Sequence, residues 1–186
     1  MKNLLLLLCL SLMTIWTACS PQDKPADDAA ATATNSDTTK AMPAAQEIGD
    51  AKYADMLKKQ MASFAAKDLN AYMANFADNA VYYWNNGDSL AGKPAIQEYW
   101  GKRFNDVVES VTFSNSIYIP VKINTPQSVE LPGNYVLAWY SVDAKYKNGK
   151  SMTQWMHSVN HFNANDQIDQ VNLFRDNQLI NDALKK

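Results

Sequence analysis

Two histidines, His157 and His161, stand four residues apart in QWMHSVNHF and are the only imidazoles in a chain of 186 residues. On a helix that spacing brings side chains within about 5–6 Å of each other, close enough to share a metal ion. On a strand, at roughly 3.3 Å per residue, it separates them by about 13 Å. The flanking residues alternate in polarity and Asn148-Gly149 upstream is a hairpin signal, so the strand reading holds and a shared zinc ion is not expected. Asp143 is the carboxylate best placed for acid or base chemistry. Buried beside Trp139 and Met156 it would be desolvated and usable in proton transfer. The competing reading is a solvated carboxylate near the hairpin end, hydrogen-bonded to Gln154. Tyr140 and His157 form a second candidate, a cross-strand pair able to share a hydrogen bond.

What positions these groups is the hairpin. A two-residue Asn148-Gly149 turn pairs Lys147 with Lys150 and fixes each pair beyond it: Trp139 with Ser158, Ser141 with Met156, Asp143 with Gln154, Tyr140 with His157. One face then carries Leu137, Trp139, Ser141, Asp143, Gln154, Met156, Ser158 and Asn160. The other carries Val136, Ala138, Tyr140, Val142, Trp155, His157, Val159 and His161. A slip of one residue exchanges the faces. Hydrophobicity alone would bury the face that bears the histidines.

Upstream, Tyr53, Met56, Leu57, Met61 and Phe64 recur at helical spacing, with Gln60 inside the stripe as either a satisfied core amide or part of a pocket wall. Asp68 caps a shorter helix carrying Leu69, Tyr72, Met73 and Phe76. Residues 80–85, AVYYWN, read as a strand ended by Asn86-Gly87-Asp88. A third helix follows Gly92, with Pro94 in its first turn and an apolar face of Ile96, Tyr99, Trp100, Phe104 and Val107. Four strand-like runs come next, and the tail after Asp176 is compatible with one more short helix. The order helix, helix, strand, helix, then four strands implies an α+β domain with an antiparallel sheet. Trp84, Trp100 and Trp139, with Phe64 and Tyr99, either pack a core or wall a cavity for a flat or amphiphilic molecule.

The chain is 47% hydrophobic, with 17 basic and 19 acidic residues and a formal charge of −2. It has no block of like charges, so a nucleic-acid partner is not expected. Residues 1–18 read as an export signal: Lys2, then an apolar run too short to span a bilayer, which takes about 20 residues. Thr17-Ala18-Cys19 resembles a bacterial lipobox, with Trp16 in place of the usual aliphatic residue. The resemblance implies a lipidated Cys19 and an exported protein anchored to a bacterial membrane; the alternative is an ordinary secreted protein cut near Ala18. Residues 19–48, rich in Ala, Thr, Ser, Pro and Asp, read as a tether. Cys9 falls in the leader, so neither a disulfide nor thiol catalysis is expected. No Gly-rich phosphate loop or nucleophile motif occurs, and no cofactor is expected.

The run KDLNAYMANFADNAVYYW, then GKPAIQEYW, the Asn148-Gly149 hairpin and FNANDQIDQVNLF resembles the nuclear transport factor 2-like superfamily, which includes ketosteroid isomerases and SnoaL-like polyketide cyclases. The resemblance covers 49–176 and implies a curved antiparallel sheet wrapped around three N-terminal helices, with a pocket at the open end. It further implies that Trp139, Ser141, Asp143, Gln154, Met156 and Ser158 face the pocket, joined by Val171 and Leu173. Tyr140, Trp155, His157 and Val159 would then lie on an outer sheet face suited to a homodimer. The three positions that carry chemistry in ketosteroid isomerases fall on Trp84, Gln60 and Ser158, none of them ionisable, so that isomerisation is not implied. The resulting expectation is a membrane-tethered domain binding a small, partly apolar or aromatic molecule. The alternatives are a cyclase, dehydratase or isomerase using Asp143 with Gln60 or Ser158, and a protein-interaction module.

Overall fold

A computed structural model describes residues 44–185; the expected export signal, the expected lipidation at Cys19 and most of the expected tether lie outside them. The elements run β1 (Gln46–Ile48), α1 (Ala51–Ala65), α2 (Leu69–Met73), β2 (Phe76–Trp84), β3 (Ser89–Ala91), α3 (Lys93–Lys102), a π-helical turn (Arg103–Val107), β4 (Val108–Ile123), β5 (Gly133–Tyr146), β6 (Ser151–Phe162), β7 (Ile168–Phe174) and α4 (Asn177–Leu184). Strand β1 falls within the stretch read from sequence as tether.

The helix starts follow their caps. Asp50 accepts from the Lys52 amide at 2.8 Å and Asp68 from that of Ala71 at 3.0 Å, each satisfying an orphan donor of the first turn. Asp176 does the same for α4, accepting from the Gln178 amide at 2.7 Å.

The strands form one curved, unclosed sheet in the order β1-β4-β5-β6-β7-β2-β3. Every pairing is antiparallel except β2 with β7, which is parallel. Curvature comes partly from β4, whose ladder with β5 is interrupted between Val108 and Ser110 and again between Ser114 and Ile117, where Asn115 takes φ 51°. The helices fill the concave side. Leu57, Phe76, Ile96, Val136, Phe162 and Ile168 are the largest fully buried side chains between the two layers.

The β5–β6 hairpin departs from the two-residue turn. The Gly149 amide donates to the Tyr146 carbonyl at 2.9 Å and the Tyr146 amide to the Lys150 carbonyl at 2.8 Å, so the loop is Lys147-Asn148-Gly149. Gly149 alone takes a positive φ, 86°, while Asn148 does not. This is the three-residue alternative, in which a glycine in the left-handed region closes the turn. The extra residue shifts the pairing by one: Trp139 faces His157, Tyr140 faces Met156, Val142 faces Gln154 and Asp143 faces Thr153.

The shift reverses the faces of β5 and leaves those of β6 in place. Val136, Ala138, Tyr140, Val142 and Ala144 point into the core beside Met152, Gln154, Met156, Ser158 and Asn160. Hydrophobicity read β5 correctly, and the polar lining implied by the resemblance holds for β6 alone.

Candidate functional site

The concave side holds a cavity of about 80 Å³ between α1, α3, the sheet and α4. Space for one water takes about 10–15 Å³ on this scale, so the void accommodates roughly one aromatic ring. Phe64 of α1 forms its floor, with its ring 4.7 Å from Trp100, 4.9 Å from Phe104 and 5.0 Å from Tyr72, all edge-on. Such tilted contacts place ring edges against ring faces and fix the wall geometry. Met61, Met152 and Met156 supply adaptable surface at the cavity boundary.

Four tyrosines reach the lining, Tyr72, Tyr82, Tyr140 and Tyr146. Burial pushes the phenol of Tyr140 up to about 12, partly opposed by its hydrogen bond with Ser158. Tyr72 and Tyr82 are raised further, burial again being the main cause. All three stay neutral hydroxyls at physiological pH. Burial also raises Tyr146, against the opposing positive charges of Arg103 and Arg175.

Those two guanidiniums are the charged members of the lining, which contains no carboxylate. Arg103 opens the π-helical turn after α3 and lies 5.5 Å from the ring centre of Tyr99. Arg175 follows β7, lies 5.4 Å from the ring of Trp84, and donates from Nε to Asn177 Oδ1 at 2.9 Å. Irregular π turns of this kind recur where helices build functional sites.

Of the residues predicted to wall a pocket, Phe64, Trp100, Met156 and Leu173 line the cavity. The others divide by cause. Gln60 is a satisfied core amide: its Nε2 donates to the Tyr72 carbonyl at 3.1 Å and ties α1 to α2. Trp84 and Tyr99 stand behind the wall, 5.1 Å apart, with Trp84 also 5.0 Å from Tyr82. Gln154 brackets the backbone of Asp176, accepting its N–H at 2.7 Å and donating to its carbonyl at 3.3 Å. That amide clasp seats α4, whose Ile180 closes one side of the cavity. Ser158 accepts from Asn160 Nδ2 at 3.0 Å, and Val171 is buried in the core.

Trp139, Ser141 and Asp143 are corrections, because the longer turn rotates them to the convex face. Asp143 is exposed and accepts a hydrogen bond from the Thr153 hydroxyl at 2.5 Å, not from Gln154. It cannot act on a molecule in the cavity. Tyr140 moves the opposite way, from the predicted outer face to the interior, so it shares no hydrogen bond with His157. The imidazole of His157 instead stacks between Trp139, at 4.4 Å, and Phe174, at 5.6 Å, and its Nδ1 lies 3.0 Å from the Ala138 carbonyl oxygen.

His161 is 4% exposed, with Nδ1 2.5 Å from Asp169 Oδ1 and Nε2 3.3 Å from the Pro132 carbonyl oxygen. The two imidazoles share no partner. Among the described residues no three His, Cys, Asp or Glu side chains gather as a metal site would require.

Of the four lining tyrosines, sequence reasoning singled out Tyr140 alone as a candidate, and it missed Arg103 and Arg175. The available signal was scarcity, since these are the only arginines in the chain.

No protein-family model matches the chain, and no curated protein matches it. Solved structures share its architecture. A candidate polyketide cyclase from Xanthomonas campestris pv. campestris is 15% identical, with a TM-score of 0.58 over 72% of this chain and 97% of that one. A nuclear transport factor 2-like protein of unknown function from Burkholderia pseudomallei is 11% identical, with a TM-score of 0.58 over 72% and 98%. TerC, co-crystallized with polyporic acid, is 10% identical, with a TM-score of 0.56 over 72% and 98%. At these identities the likeness establishes the fold: this is an α+β domain of the nuclear transport factor 2-like architecture.

Proposed function

We propose that the domain binds a small, flat, partly apolar molecule in the cavity between its helices and sheet, at a membrane to which a lipid on Cys19 holds it. The observation that carries the reading is the lining itself, aromatic and thioether surface without any carboxylate to serve as acid or base. A concave, pre-formed void flanked by a few hydroxyls suits recognition of shape more than proton transfer. The co-crystallized TerC structure supports the same use of the fold. A cyclase-like reaction, which the description of the Xanthomonas neighbour favours, would have to proceed on phenols and guanidiniums.

The convex face supports a further element of the reading, a second copy of the chain docked on the sheet. Ile117, Trp139, His157 and Phe174 form one row across β4 to β7, and Trp155 beside them is 58% exposed. Trp139 takes the place in this surface that the sequence assigned to Tyr140.

Native mass spectrometry of the protein purified from its own membranes tests all three parts together. The expected result is a dimer carrying a small organic molecule, with a lipid mass on the N-terminal fragment beginning at Cys19. The Ala144→Phe variant, which fills the cavity from β5, should lose the small molecule and keep the lipid. Protein emerging bare, with no adduct in any preparation, would oppose the binding reading; a monomer would oppose the docked copy, and an unmodified Cys19 the anchor.

A further inference from the structure

The chain has 17 basic residues and only two are arginines, yet both line the same cavity. Among the described lysines, Lys67 and Lys93 donate to backbone carbonyls, while Lys52, Lys58, Lys102, Lys122, Lys145 and Lys185 each pair with a carboxylate. Among the described residues neither Arg103 nor Arg175 has such a partner. Each is half-buried and lies over an aromatic ring, a contact that fixes the guanidinium plane but leaves most of its N–H donors unused. Both act electrostatically on one group, the Tyr146 phenol, so their positive charges converge on a common region. Two guanidiniums without a carboxylate partner in the lining of one cavity offer their free N–H donors to an anion bound there. Trp100, 6% exposed and part of the same wall, adds a buried indole N–H with no hydrogen-bond partner.

We infer that the ligand is an organic anion, a planar aromatic or conjugated carboxylate whose ring enters the cavity while its charged end is held by Arg103 and Arg175. This rests on the cavity-binding reading above and adds the charge of the ligand to it. Guanidinium suits the role better than ammonium because its planar fork meets both carboxylate oxygens at once. The void holds about one ring, which limits the class to compact acids and excludes long acyl chains from full burial.

Cinnamate and cinnamamide share one planar frame and differ in charge. Titration of each into the full-length protein, followed by tryptophan fluorescence and calorimetry, should give at least about tenfold tighter binding of the acid, falling as salt is raised. In Arg103→Gln and Arg175→Gln the ratio of acid to amide affinity should drop toward one. The wild-type ratio of acid to amide affinity and its salt dependence decide the matter without the variants. Equal affinity for acid and amide in the wild type would overturn the inference and leave cavity binding in place. Failure of both to bind at millimolar concentration would overturn both readings.

Discussion

Ala138→Asp should destabilise the domain by about 3–5 kcal/mol, enough to consume much of the stability of an ordinary domain, whereas Trp139→Asp one residue away should cost about 1 kcal/mol. Ala138 is 0% exposed and points into the core from β5, where a carboxylate would find no cation and no water. Trp139 lies on the convex face and loses mainly its stacking on His157, 4.4 Å away. Urea denaturation of the two variants reads the difference directly. The order of effects depends on the three-residue turn, and a two-residue turn would reverse it. Equal losses, or a larger loss at Trp139, would contradict the observed register.

The second large effect is at Trp100. Its replacement by alanine should cost about 3–5 kcal/mol, the range for deleting a buried aromatic side chain and leaving a cavity. The indole packs against Phe64 at 4.7 Å, Tyr99 at 5.0 Å, Tyr82 at 6.0 Å, Phe104 at 6.2 Å and Tyr72 at 6.3 Å, so one deletion unsupports five rings. Partial collapse is hindered because these rings come from α1, α2, β2, α3 and the π-helical turn, which would have to move together. Trp100→Phe should cost less than about 2 kcal/mol, since it keeps a ring in the wall and removes a buried donor that has no partner. Thermal and urea melts of both variants check the ordering, and comparable losses for Ala and Phe would show that ring packing is not what Trp100 supplies.

The helices were legible because their signals are local. Asp50, Asp68 and Asp176 cap the starts they mark, and the stripe from Tyr53 to Phe64 lies on one face. Strand order was less accessible: β1 and β3 have three residues each, too short for periodicity, and the parallel pairing of β2 with β7 joins segments about ninety residues apart. The site failed at a single residue. Asn148-Gly149 serves two turn types, and which one forms depends on whether Asn148 takes a positive φ, a choice governed by how Lys147 and Tyr146 sit against the rest of the fold. That choice moved Trp139, Ser141 and Asp143 out and Tyr140 in, while Gln154, Met156 and Ser158 on the partner strand stayed. Arg103 and Arg175 carry no sequence pattern, being brought to one cavity only by tertiary structure.

Methionine methyl groups labelled with carbon-13 report whether a small molecule occupies the concave cavity. Met61, Met152 and Met156 line the void, while Met56 lies outside its lining. Addition of cinnamate should move the methyl resonances of the first three through the ring current of the bound ligand and leave Met56 in place. Saturable binding that leaves Met61, Met152 and Met156 unmoved would place the ligand elsewhere and contradict the account.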